Sequence, residues 1–181
     1  MSRLRIYPES DPASTQVETD SGEQIATLLA CVGVRFERWP TYAAVSAGAS
    51  QESVLSAYAE PVARLQREGG YQAVDVVSLQ PDHPQRAEFR QKFLNEHTHA
   101  EDEVRFFVDG QGLFSLHIDG QVYEVLCQRG DLISVPAGTR HWFDMGPAPQ
   151  FVAIRLFTNP EGWVAQFTGS DIAERFPRLA A

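Results

Sequence analysis

Two histidines and a glutamate stand close together in "NEHTHAEDEVRFFVDG", residues 95–110, and a third histidine follows in "GDLISVPAGTRHWF", residues 130–143. The chain has five histidines in 181 residues, and His97 and His99 lie one residue apart directly before an apolar run. On an extended segment, residues i and i+2 project to the same face, so both imidazoles can aim at one point. Glu103 and Arg105 share that parity if the extension continues, although Ala100–Asp102 could turn. Imidazoles with a carboxylate suit a divalent transition metal such as iron, nickel, manganese or zinc. Taken alone, the pair reads more readily as loop histidines solvated in an acidic stretch; Glu103 at its fixed offset strengthens the metal reading.

A barrel would have to position these side chains. From residue 103 onward the chain is a series of short runs rich in Val, Ile and Phe, separated by Gly, Asp and Pro, which predicts an all-β sandwich or barrel. Asp119–Gly120 between two alternating runs predicts a hairpin. Upstream, "SGEQIATLLACVGV" predicts a helix, with Ser21 and Gln24 at capping-box spacing. "VRFERW" predicts a short strand, residues 40–50 a loop, and "SQESVLSAYAEPVARLQREGG" a helix that Pro61 should kink or divide. "QAVDVVSLQ" predicts another strand and Gln85–Leu94 a short helix. The first twenty residues are polar and expected to be mostly extended. The organisation expected is one domain over 1–181: a helical N-terminal part (1–75), a β core (76–160) and a tail (161–181) whose Trp163 and Phe167 pack back on the barrel.

Composition narrows the classes. With 15 basic and 24 acidic residues the net charge is −9, which argues against a phosphate-tracking nucleic-acid binder and against anionic membrane surfaces. No apolar run is long enough for a transmembrane helix, and "MSRLRIYPES" has no apolar signal core. Cys31 and Cys127 make no CxxC and are expected as reduced, buried thiols of a cytoplasmic protein.

The gapped spacings carry a resemblance. The first stretch resembles the cupin pattern H-x-H-x3-E-x6-G through His97, His99, Glu103 and Gly110. The second resembles G-x5-P-x-G-x2-H through Gly130, Pro136, Gly138 and His141. Gln91 and Met145 stand where the pattern often has glycine and asparagine; neither position is a ligand. Beyond the superfamily, "KFLNEHTHAEDEVRFFVDGQGLFSLHI", "LISVPAGTRHWFDMG" and "NPEGWVAQFTG", with "GVRFERW" and "DVVSL" upstream, closely resemble the bacterial acireductone dioxygenases of methionine salvage, from about residue 22 to the end.

That resemblance implies a mainly β, cupin-type double-stranded β-helix (a jelly-roll barrel) with a few N-terminal helices packed outside. It implies one divalent metal, iron(II) or nickel(II), on His97, His99, Glu103 and His141. It implies that Arg105 helps hold the substrate as a dianion, and that Glu96 and Asp102 serve metal incorporation and the relay of conformational change. The implied substrates are acireductone (1,2-dihydroxy-3-keto-5-methylthiopentene) and O2. Iron would direct them to formate and 2-keto-4-methylthiobutyrate, nickel to formate, CO and 3-methylthiopropionate.

The chemistry fits independently. A six-coordinate ion with four protein ligands keeps two positions open, and an enediol-ketone can chelate through two oxygens. Other classes remain at this stage: a different metal-dependent cupin enzyme, such as an isomerase or another dioxygenase, or a non-enzymatic ligand-binding cupin. His117 is expected as a strand residue rather than a ligand, His83 as a solvated loop residue, and Arg155 as an outward or paired strand arginine. Phe106, Phe107, Trp142 and Phe143 are expected in the core. With no long exposed apolar stripe, the chain is expected to be a monomer, bound to neither nucleic acid nor membrane.

Overall fold

The computed structural model describes residues 2–41, 45 and 47–180; part of the loop expected over residues 40–50 lies outside them. In chain order the elements are β1 (Arg3–Pro8), β2 (Val17–Thr19), α1 (Gly22–Ala30), β3 (Arg35–Arg38), α2 (Gln51–Ala57), α3 (Ala59–Gly69), β4 (Ala73–Leu79), α4 (Arg86–Leu94), β5 (His97–Thr98), β6 (Glu103–Ile118), β7 (Gln121–Gln128), β8 (Asp131–Val135), β9 (Arg140–Asp144), β10 (Phe151–Phe157), β11 (Gln166–Phe167) and a 3-10 turn, Ile172–Glu174.

The strands form two layers joined by β6. One layer runs β11-β5-β9-β6-β7-β1-β2, the other β3-β8-β6-β10-β4, and the hydrogen-bonded ladder does not close on itself. Glu103–Phe106 of β6 pair with β8 in the second layer, whereas Leu113–His117 pair with β9 in the first. The sequence "VDGQG" looks like a turn between two strands, but the strand continues through it and changes layers. Gly110, at φ +76°, permits this: a Cβ there would lie 1.9 Å from the carbonyl oxygen of Gln150, so only glycine fits the close approach. The hairpin at Asp119–Gly120 is as expected, with both residues at positive φ as a type I′ turn requires.

The principal core lies between the layers and includes Leu4, Ile6, Phe107, Phe114, Tyr123, Val125, Phe143 and Phe151. Helices α2 and α3 cover the outer face of the second layer, with Val54, Tyr58, Val62 and Leu65 on Val104, Phe106, Val152 and Ile154. Pro61 divides this helical stretch and sits in the first turn of α3, where a missing N–H costs nothing. The tail covers the outer face of the first layer through Ile172, Ala173 and Phe176, which pack with Tyr7, Val122 and Trp142. Trp163 and Phe167, expected to be covered, remain exposed.

One further expectation holds with an addition, and one is corrected. The first twenty residues are extended, but they are integral to the sheet: β1 pairs with β7 along its whole length and with β2. Cys127 is buried, but Cys31 is exposed. It follows α1 on the side away from the buried Ile25–Leu29 stripe.

Across the first layer, β1 and β7 set Arg5 beside Glu124, and β7 and β6 set Glu124 beside Ser115. The Glu124 carboxylate is buried, its Oε2 has no hydrogen-bond partner, and Arg3 is 4.0 Å from Oε1. Burial pushes its pKa up to about 7, with Arg5 and Arg3 offsetting only part of the cost. A carboxyl raised in the folded state leaves stability intact below its unfolded value near 4.5 and removes it as pH rises through 7. Glu124→Gln is therefore expected to stabilise the chain by roughly 1–3 kcal/mol at pH 8 and by little near pH 4. Urea unfolding at the two pH values checks this; equal stability of both proteins at pH 8 would refute it.

Candidate metal centre

His97 lies on β5, Glu103 opens β6 and His141 lies on β9. β5 pairs with β9 at His97 and His141, which brings those two imidazoles together, tilted at 58° with ring centroids 4.5 Å apart. His99 completes the group, 5.2 Å from each of the other rings. One ring nitrogen from each of His97, His99 and His141 lies within 4.8 Å of the others, and all three residues are buried. Glu103 joins them: its Oε2 is 3.3 Å from His99 Nε2 and 4.0 Å from His141 Nε2.

Backbone carbonyls orient the imidazoles. The Nδ1 atoms of His97, His99 and His141 face the carbonyl oxygens of Asn95 (2.7 Å), Val164 (3.2 Å) and Thr139 (2.7 Å). A carbonyl can only accept, so each Nδ1 donates and each neutral ring keeps a lone pair on Nε2. Burial favours the neutral form. It lowers the pKa of His97, and it lowers that of His141 to about 3.

The carboxylate is equally prepared. Arg105 donates to Glu103 Oε1 from Nε (3.2 Å) and Nη2 (2.7 Å). Burial raises the Glu103 pKa, but the adjacent Arg105 guanidinium overrides it and holds the group at about 2. Its other oxygen, Oε2, is buried without a hydrogen-bond partner. At the centre, this anionic oxygen lies 3.3 Å from His99 Nε2 without making a hydrogen bond to it. A buried carboxylate oxygen left without a hydrogen bond is costly unless a cation answers it. The residues present thus fit a divalent metal with nitrogen and oxygen donors.

Arg105 is buried, with its guanidinium 4.8 Å from the ring centroid of Phe114 and 4.6 Å from that of Phe143. Stacking on aromatic faces fixes its plane. Burial lowers its pKa, opposed by Glu103.

Glu96 and Asp102 lie outside the convergence. The Glu96 carboxylate accepts from Thr168 Oγ1 (2.8 Å) and faces His117 Nδ1 (2.6 Å), tying the start of the metal segment to the tail and to the end of β6. His117 is a strand residue and not part of the cluster, as expected; its Nε2 reaches Glu9 Oε2 at 2.6 Å. Exposed Asp102 accepts from the backbone N–H of Ala137 at 2.7 Å, bracing the turn that leads to His141. His83 is on the loop before α4, where its Nδ1 accepts from the backbone N–H of Gln85.

Several contributors were not identified from sequence. They are the three carbonyls, the Phe167 ring 5.7 Å from His97, the Phe157 ring 5.9 Å from His99, and Arg155, which turns inward. Strand parity could have found Phe157 and Arg155 once β10 was registered against β6, because Phe157 opposes Glu103 and Arg155 opposes Arg105.

The model of the ARD/ARD′ family matches residues 3–165. Among curated proteins, the acireductone dioxygenase of Pseudomonas paraeruginosa is 66% identical over 179 residues, covering 99% of each chain. That of Alcanivorax borkumensis is 58% identical over the same length and the same share of each chain. Among solved structures, an acireductone dioxygenase from Bacillus anthracis with a cadmium ion in its active centre superposes with a TM-score of 0.78 at 32% identity, covering 92% of this chain and 98% of its own.

Proposed function

This chain belongs to the ARD/ARD′ family, and on that basis we propose that it is a metal-dependent acireductone dioxygenase of methionine salvage. His97, His99, Glu103 and His141 would hold one iron(II) or nickel(II) ion. The observation that carries this is the buried, unpartnered Glu103 Oε2 3.3 Å from His99 Nε2, beside three converging imidazoles.

When bound, the ion supplies a Lewis acid and a template on which an enediol can chelate and become reactive toward O2. The chain's own residues do the rest. The three carbonyls keep the imidazoles in the tautomer that offers Nε2. Arg105 takes one oxygen of Glu103 and leaves the other to the ion, while its fixed positive charge favours an anionic substrate. Phe114, Phe143 and Phe157 line the surroundings and exclude water, which strengthens these electrostatic effects. Asp102 and Glu96 hold the two segments that carry the ligands, through Ala137 and through Thr168 and His117.

We further read the chain as a cytoplasmic monomer that binds neither nucleic acid nor membrane. The net charge of −9 and the exposed thiol of Cys31 support this.

Reloading one apoprotein separately with each metal tests the assignment. Both forms are expected to consume O2 with acireductone. Iron should yield formate and 2-keto-4-methylthiobutyrate, nickel formate, CO and 3-methylthiopropionate, as read by mass spectrometry and CO release. Loss of acireductone no faster than the spontaneous rate with either metal would overturn the assignment. Identical products from both would remove only the metal-directed branching.

A further inference from the structure

Arg105 has a neighbour of the same charge. β10 pairs with β6 so that Arg155 stands directly opposite Arg105, on the inward face of the second layer. Like charges in cross-strand register are unfavourable, and here both are largely buried: the Arg155 side chain is 11% exposed and that of Arg105 5%. Each is answered by its own carboxylate. Asp75, on β4, accepts from Arg155 Nε at 2.8 Å and Nη2 at 2.6 Å, as Glu103 does from Arg105. In both pairs the contacts use Nε and Nη2, so neither Nη1 is committed to its carboxylate.

The two pairs differ in their exposure. The Asp75 side chain is 39% exposed, so solvent screens its charge more than that of Arg155. The pair therefore presents a positive face toward the interior. That face lies by the metal centre: the Arg155 guanidinium is 5.5 Å from the Phe157 ring, which in turn packs on His99 at 5.9 Å. The charges of Arg155 and Glu103 also act on one another. A surface pair would gain little from this placement, whereas two guanidiniums carried in register on neighbouring strands near a cation site lower the energy of an anion bound there.

We propose that Arg155 is a second substrate-binding guanidinium, taking the oxygen of a three-oxygen enediolate that a bidentate chelate leaves off the metal. This rests on the acireductone assignment, whose substrate carries two enediol oxygens and an adjacent ketone. Arg105 then serves the chelated end and Arg155 the remaining oxygen.

The test uses the full chain reloaded with nickel, comparing wild type with Arg155→Gln, Arg155→Lys and Asp75→Asn. Metal content, anaerobic acireductone binding by ultraviolet difference spectra, and KM and kcat are measured. Arg155→Gln should keep its metal and weaken anaerobic binding and KM by about 10-fold or more, with a smaller loss in kcat. Arg155→Lys should recover part of the affinity, because it restores the charge without the planar fork. Asp75→Asn, which leaves Arg155 in place, should change affinity by less than about 3-fold.

Affinity within about 2-fold of wild type in Arg155→Gln would overturn the proposal. So would an equal loss in Asp75→Asn, which would mark the pair as structural. Should Arg155→Gln not fold, an unchanged affinity in Arg155→Lys overturns it instead. Failure of the acireductone assignment looks different, because wild type itself would then neither bind acireductone anaerobically nor consume O2 with it.

Discussion

His141→Ala is expected to lose nearly all bound metal and to lower kcat/KM by about 10³-fold or more, and His97→Ala and His99→Ala should behave alike. The imidazole of His141 is buried and held by the Thr139 carbonyl at 2.7 Å, so a neighbouring side chain cannot readily replace it. Its loss removes one donor from an already preorganised set and leaves the Glu103 carboxylate to face the remaining rings. His117→Ala is the control, because it removes another buried imidazole from the same sheet. It should keep its metal but lose stability by roughly 1–3 kcal/mol, since the buried Glu96 carboxylate loses its imidazole hydrogen-bond partner. Elemental analysis and urea unfolding separate the two effects. Full metal content in His141→Ala would refute the ligand set, and metal loss in His117→Ala without unfolding would extend it.

The candidate site was legible in sequence through resemblance to two gapped patterns, which implied His97, His99, Glu103 and His141; the fold brings the three histidines of that set together. What was not legible depends on register. "FVAIRLF" is apolar on both sides, because one face of β10 meets the interior and the other lies under α2 and α3. The strand therefore shows no alternation from which to read the direction of Arg155. Its pairing with β6 settles that direction, and pairing is a long-range property. The carbonyls of Asn95, Val164 and Thr139 were equally hidden, since backbone acceptors leave no mark on residue type.

The fold divides in the same way. Pro61 announced the break between α2 and α3, and Asp119–Gly120 the hairpin, because each is a local steric fact. β6 was misread as two runs because Asp109–Gly112 has turn composition. Gly110 instead supplies a positive φ within a continuous strand and room for the backbone at Gln150. The role of β1 was missed because its partner is β7, more than a hundred residues away. The Ser21 cap forms, with the Gln24 N–H donating to Ser21 Oγ, but the reciprocal half does not. The Gln24 side chain accepts from Thr19 and the Ser21 N–H donates to Thr19, so β2 supplies what the capping box would have.

Arg105→Ala is expected to retain metal near one per chain and to lose about 10²- to 10³-fold in kcat/KM, with a substantial part of the loss in kcat. The reason lies in what Arg105 touches. It holds Glu103 through Oε1, while the oxygen offered to the metal is Oε2, so its removal leaves the donor set standing. The positive charge it removes is buried and stacked on Phe114 and Phe143, where water cannot substitute for it. A charge that only bound substrate would raise KM alone. A charge fixed beside the reacting enediolate also stabilises negative charge that grows as the reaction proceeds, and so appears in kcat. Arg105→Lys should recover part of the rate, because an ammonium restores the charge but can neither lie flat on the rings nor hold Oε1 with two donors. Single-turnover rates at saturating acireductone, with metal content measured on the same samples, decide the point. Equal rates in wild type and Arg105→Ala would leave Arg105 as an anchor for Glu103 and nothing more. A loss in rate that tracks a loss in metal would place its whole effect in assembling the ligands. A loss at full metal content is the outcome that assigns it to the substrate.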